Sequence, residues 1–144
     1  MKIKNVVVIG SGTMGSGIAA QLCNANIPVT LLDLKTEISE KAKKKIYDSR
    51  PPLLIDKNKI DNIKVGNIED NFNLVEKADW IVEAVVERID IKHKIYEKIL
   101  KARKKDSIIS SNTSTIPLKV LSEKMSEKDK KDFCITHFFN PVRY

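Results

Sequence analysis

No apolar run in this sequence approaches the roughly 20 residues that a helix needs to cross a bilayer. The start, Met1-Lys2-Ile3-Lys4, passes directly into a strand-like run. A signal peptide needs a longer apolar stretch followed by a small-residue cleavage site; neither is there, so the expected location is the cytoplasm. Cysteine is scarce. Cys23 and Cys134 lie far apart in apolar segments, with no cluster of Cys or His around either. That argues against a metal centre or a disulfide framework and for two small buried hydrophobes in a reducing compartment. Aromatic residues make up only 6% of the chain, and none is interleaved with the lysines to stack on bases. The scarcity matters because the net charge of +7 would otherwise invite a nucleic-acid reading. The lysines fall in short runs at 41–45, 101–105 and 128–131, mixed with or flanked by Glu and Asp. They read as solvated helix faces, on a basic surface that also suits polyanionic small ligands. Internal repeats, low-complexity tracts and flexible linkers are all missing, so the 144 residues are expected to form one domain, 1–144.

What is present is an alternation of apolar, β-branched runs with amphipathic stretches. Asn5 to Ile9 is a continuous apolar run ending at a glycine, the pattern of a strand buried on both faces. The sequence predicts further strands at Val29 to Leu32, Ile63 to Val65, Trp80 to Val86, Ser107 to Ser110 and Phe133 to His137. Helices are expected over Thr13 to Asn26, over Thr36 to Asp48 with Thr36 as N-cap, over Asp90 to Arg103, and over Ile116 to Met125. Pro51-Pro52 must stop the second helix, because proline lacks the amide donor and clashes with the preceding turn. Strand–helix alternation of this kind gives an α/β fold, doubly wound, with a mainly parallel sheet and helices on both faces.

The sharpest motif is Gly10-Ser11-Gly12-Thr13-Met14-Gly15, a G-x-G-x-x-G between a predicted strand and a predicted helix. Gly10 permits the tight turn, Gly12 lets the backbone approach a pyrophosphate, and Gly15 lets the helix pack close to the strand. The helix N-terminus adds free amides and partial positive charge for phosphates. Asp33 ends the second strand roughly 20 residues further on. A carboxylate there can accept hydrogen bonds from ribose hydroxyls and repels the 2′-phosphate of NADP. Together these residues form a Rossmann-type dinucleotide fingerprint favouring NAD.

Three later segments lie at predicted strand C-termini, the edge where open parallel sheets bind ligands. They are Val82-Glu83-Ala84-Val85-Val86-Glu87, Ser111-Asn112-Thr113-Ser114 and His137-Phe138-Phe139-Asn140-Pro141. In order with the glycine loop and Asp33, they resemble the NAD-binding domain of the L-3-hydroxyacyl-CoA dehydrogenases, across essentially the whole chain. The ending H-F-F-N-P-V-R-Y looks closer to the large bacterial fatty-oxidation enzymes than to the short single-function ones. The resemblance implies oxidation of a 3-hydroxyacyl-CoA to a 3-ketoacyl-CoA in fatty-acid β-oxidation. It makes His137 the catalytic base, with Ser114 and Asn140 hydrogen-bonding around the substrate oxygen and nicotinamide, and Asn112 shaping that pocket. Glu87 and Lys92 match positions lining the nicotinamide end of the cofactor, and Ser49 falls near the segment that contacts CoA. An imidazole suits the base role because its ordinary pKa of about 6.5 is near operating pH. His93 reads as solvated and Trp80 as packing, while Glu83 either lines the cleft or closes a strand.

In the family a glutamate follows shortly after the histidine motif and pairs with it, and a helical C-terminal domain completes the acyl-CoA cleft; neither is within these 144 residues. The expectation is a chain that binds NAD(H) but turns over slowly or not at all. Exposed apolar surface is expected where that domain would pack, at Val120, Leu121, Phe138, Phe139 and Val142, with self-association through it. Two alternatives stay open: a dehydrogenase of another 3-hydroxy acid, and a non-catalytic NAD(H)-binding module. No metal, nucleic-acid or membrane partner is expected.

Overall fold

A computed structural model of the chain describes residues 2–144. Alternation in the first strand sets up the architecture. In β1 (Val6–Ile9) all four residues are buried, but they face two different cores. Val6 and Val8 pack with Ile18, Ala42 and Ile46 on one side, while Val7 and Ile9 pack with Ile95, Tyr96 and Ile99 on the other. A strand's period of two delivers successive side chains to opposite faces, so a run of four apolar residues serves both.

Six strands form one all-parallel sheet in the order β3-β2-β1-β4-β5-β6. Beside β1 they are β2 (Val29–Asp33), β3 (Ile63–Asn67), β4 (Trp80–Glu83), β5 (Ile108–Ser111) and β6 (Phe133–Ile135). Helices α1 (Thr13–Asn24) and α2 (Thr36–Asp48) cover one face, and α3 (Ile89–Ala102) covers the other. This is a Rossmann-type α/β fold. The strand order reverses between β1 and β4, and the crevice at their carboxyl ends is where such sheets take ligands.

Several elements differ from expectation for identifiable reasons. β4 stops at Glu83 rather than Val86 because the Glu83 carboxylate accepts the Val85 amide at 3.0 Å and turns the chain. The helix expected over 116–125 shrinks to α4 (Leu118–Leu121), and a second short helix that was not expected, α5 (Glu127–Lys130), follows it. Ser126 starts the second by accepting the Asp129 amide while its hydroxyl bonds the Asp129 carboxylate, a reciprocal cap that opens a new helix. Thr36 is the first helical residue and not the cap. Lys35 occupies that position without a side-chain bond, and the Thr36 hydroxyl accepts from Asn67.

Cys134 is exposed on β6, contrary to expectation, while Cys23 is buried. β6 is the edge strand, and only its first residue, Phe133, is buried while Cys134 and Ile135 are exposed. Leu121 is also corrected: it is 1% exposed and packs in the second core. Among the described residues no helix is long and apolar enough to cross a membrane, and no group of three His, Cys, Asp or Glu is placed to hold a metal.

Candidate active site

The glycine loop leaves β1 under tight steric control. Gly10 sits at φ +104°, and a Cβ there would overlap the Ala84 carbonyl in the loop after β4. A Cβ on Gly15 would overlap the Gly10 carbonyl oxygen, so α1 rests directly on the loop. Gly12 is different. Its φ of −67° suits any residue, and a Cβ there would meet no protein atom within 4 Å. Its bare backbone opens into the cleft. As N-cap of α1, Gly12 makes no side-chain cap, and the first turn holds no acidic residue, which leaves the first-turn amides free to take an anion.

Asp33, at the end of β2, is fastened to this loop. One carboxylate oxygen accepts the Ser11 amide at 2.8 Å and the Ser11 hydroxyl; the other accepts the Leu34 amide at 2.7 Å. The cleft running from this corner has a volume of about 680 Å³, within the usual range for a small-molecule site. Gly10, Ser11, Gly12, Thr13, Met14 and Asp33 line one end, and Glu87, Lys92, Asn112 and Ser114 the other.

At that second end, the parallel ladder continues past the strands. Ala84 donates to Ile9, Asn112 to Glu83 and Thr136 to Ser111, at 2.8, 2.9 and 3.0 Å. The loops after β4, β5 and β6 therefore converge. Ser114 Oγ lies 3.1 Å from His137 Nε2, the tautomer deciding which donates. The His137 ring meets Phe139 edge-on at 5.1 Å between centroids. Asn112 accepts the Phe138 amide at 2.9 Å, tying the His137 segment to the β5 loop. Among the described residues no carboxylate forms an ion pair with His137, and Asn140 is exposed in the following turn.

Glu87 organises the serine turn. It accepts the Thr113 hydroxyl and the Ser114 amide, both at 2.8 Å, and faces the Lys92 ammonium at 3.3 Å. Burial pushes its carboxyl upward, but these donors and the Lys92 charge outweigh that and hold it below the usual carboxylate range.

Behind this wall lies a group that spacing alone left without a role. Glu83 is fully buried and accepts four bonds: from Lys92 at 2.6 Å, the Val85 amide at 3.0 Å, Tyr96 at 2.5 Å and Ser111 at 2.7 Å. Lys92 is itself 1% exposed, with its ammonium shared among Glu83, Glu87 and the Val85 carbonyl. Burial, then the Glu83 charge, raise the Tyr96 hydroxyl far above its ordinary value. The signal for this cluster was a carboxylate inside the apolar run WIVEAVV, since a buried charge has to be paired. Thr113 had no such signal.

Residues 5–144 match the family described as the 3-hydroxyacyl-CoA dehydrogenase, NAD binding domain. The chain belongs to that family. A Rickettsia felis protein, named as a presumed fatty acid oxidation complex trifunctional enzyme, is 45% identical over 99% of this chain and 21% of its own length. The "Probable 3-hydroxyacyl-CoA dehydrogenase" of Deinococcus radiodurans is 42% identical over 100% of this chain and 44% of its own length. This chain thus spans between about a fifth and less than half of these curated relatives. The crystal structure of FadB2 from M. tuberculosis superposes with a TM-score of 0.86 at 26% identity, over 99% of this chain and 51% of that one. The Escherichia coli 3-hydroxybutyryl-CoA dehydrogenase structure shares the fold at the same TM-score and 24% identity, over 99% of this chain and 31% of that one.

The remaining expected residues fall as follows in this family domain. Gly15 packs α1 and does not line the cleft. Ser49 holds a turn, donating to the Ile46 carbonyl and accepting the Leu53 amide at 3.0 Å each. His93 is not solvated as expected: its ring is largely covered, with Nε2 at 2.9 Å from the Val120 carbonyl, because α4 packs across α3 there. Trp80 packs as expected and also donates to Ser110 at 2.8 Å.

Proposed function

We propose that this domain binds NAD(H) in the cleft between the glycine loop and the Ser114–His137 pair, and serves the oxidation of the 3-hydroxyl of an acyl-CoA in fatty-acid β-oxidation. The observation that carries the reading is Ser114, which lines the far end of the cleft that Gly12 and Asp33 open and lies 3.1 Å from His137 Nε2 just outside its lining. Binding adenine and pyrophosphate alone needs no such pair.

The residues present fit the cofactor. The bare Gly12 backbone and the uncapped first turn of α1 suit a pyrophosphate. Asp33, held by Ser11 and Leu34, presents a carboxylate suited to ribose hydroxyls and hostile to a 2′-phosphate. When bound, NAD supplies the hydride acceptor. His137 takes the proton of the 3-hydroxyl at its imidazole, a general-base step. Ser114 orients that imidazole and hydrogen-bonds the substrate oxygen, with Asn140 as a second donor. Asn112 and Glu87 hold the two loops in place.

Fluorescence titration with NADH, using NADPH as control, tests this. Saturable binding with NADH preferred is the expected result, and Asp33→Asn should reduce that preference by at least about tenfold, a change of roughly 1.4 kcal/mol. No NADH binding by a folded chain would reject the reading. We further propose that the 144 residues alone turn over slowly or not at all, because His137 has no carboxylate partner among the described residues to stabilise its protonated form. Steady acetoacetyl-CoA-dependent NADH oxidation at an ordinary enzymatic rate would refute that part.

A further inference from the structure

Two carboxylates share one buried ammonium in the wall of the cleft, and they do so unequally. Glu83, fully buried, holds Lys92 at 2.6 Å; Glu87, whose side chain is 37% exposed, stands 3.3 Å from the same nitrogen. The two carboxylates also do different work. Glu83 is saturated by the Val85 amide and by the hydroxyls of Tyr96 and Ser111. Glu87 turns outward and uses both oxygens on the serine turn, accepting the Thr113 hydroxyl on one and the Ser114 amide on the other. The Glu87 oxygen that faces Lys92 is the one that accepts Thr113. Lys92 and the Thr113 hydroxyl thus meet on one Glu87 oxygen, with the ammonium standing closer to Glu83.

We propose that Glu83 is a positioning residue: by taking the larger share of Lys92 it leaves Glu87 free to hold the Thr113–Ser114 turn, and so sets Ser114 against His137. The assignment rests on the reading of Ser114 and His137 given above, but its geometry is intrinsic to the chain. If Glu83 loses its charge, the buried ammonium retains one counter-charge, Glu87, and an unpaired charge in a low-dielectric wall moves toward what remains. Glu87 is then pulled off the turn. A Gln at position 83 is tolerable in shape. Its carbonyl oxygen can face Lys92 and the Val85 amide, and its NH2 can donate to the Tyr96 and Ser111 hydroxyls, which rotate to accept.

The test is NMR on the full 144-residue chain without cofactor at neutral pH, reading the Ser114 amide proton and the His137 ring resonances. Glu83→Gln is expected to move the Ser114 amide upfield, as its bond to Glu87 weakens, and to displace the His137 ring signals. Tyr96→Phe removes a bond from the same buried carboxylate without changing any charge, and should lower the melting temperature while leaving both signals in place. The double variant Glu83→Gln/Lys92→Met removes both inner charges, so Glu87 has no ammonium to follow and both signals should return toward wild type. That variant is expected to fold even where Glu83→Gln does not, since replacing a whole buried pair is far better tolerated than breaking it. Unchanged signals in Glu83→Gln, equal displacement in Tyr96→Phe, or no return in the double variant would each overturn the proposal and leave Glu83 a packing group. An NADH titration of the wild type separates the two claims. Signals that respond as expected in a chain that fails to bind NADH reject the proposed function and leave the positioning intact.

Discussion

Three glycines in one hexapeptide do three different jobs, and the structure separates them at the level of single atoms. Gly15 is demanded by the protein, because a Cβ would overlap the Gly10 carbonyl. Gly12 is demanded by nothing in the protein, because a Cβ would stand in open space at an ordinary φ. The two should therefore respond in opposite ways to the same change. Gly15→Ala is expected to destabilise the fold by about 3 kcal/mol or more, since neighbouring backbone must shift. Gly12→Ala should leave stability within about 0.5 kcal/mol yet weaken NADH binding by at least about tenfold. Urea melts and NADH titration of both variants check this, and a Gly12→Ala that binds normally would remove the pyrophosphate from that position.

At the scale of elements, one carboxylate pins three segments together on the sheet edge opposite the cleft. Asp79, just before β4, accepts the Lys4 and Asn5 amides at 2.8 and 3.0 Å and pairs with Lys104 beyond α3. The Lys104 bond first, then the two amides, lower its pKa from 3.8 to about 2. A depressed carboxylate contributes stability that is complete above its unfolded value and disappears as pH falls through its folded one. Asp79→Asn should therefore cost roughly 1–2 kcal/mol at pH 7. The deficit against wild type should shrink between about pH 4 and pH 2. Thermal melts across that range decide it, and a deficit constant with pH would mean that charge plays no part in the clamp.

For the molecule as a whole, the apolar face expected near the His137 segment is smaller than the sequence suggested, and exposed apolar residues also lie elsewhere, as at Leu34 and Ile55. Phe139 is 77% exposed and Val120 37%, whereas Leu121 is buried and Phe138 and Val142 pack partly against the first core. Self-association at high concentration is the expected consequence. Phe139→Ser should return the light-scattering mass toward the monomer with little change in melting temperature, and an unchanged mass would place the contact elsewhere. At this scale the doubly wound α/β class and the mainly parallel sheet were legible from apolar runs, the glycine loop and strand–helix alternation, whereas the strand order came only from the structure. The shortening of the 116–125 helix to α4 and the separate helix α5 were not legible either, because α5 is started by the reciprocal bonds of Ser126 and Asp129, which no apolar periodicity marks.

The sequence alone determined the α/β class, the glycine loop, the acid at Asp33 and the resemblance that points to Ser114 and His137. Each of these is a local pattern: a run of one periodicity, a spacing, or a short motif at a strand end. Only the tertiary structure decided that Glu83, Lys92 and Glu87 form one chain of charge behind the serine turn. It also decided that Thr113 and Tyr96 belong to that chain, and that His93 is covered by α4. Those facts depend on which loops meet when β4, β5 and β6 are laid side by side. Residues as far apart as Glu83 and Ser111, or Ser114 and His137, become neighbours only through hydrogen-bond register across the sheet. No spacing along the chain encodes that register by itself.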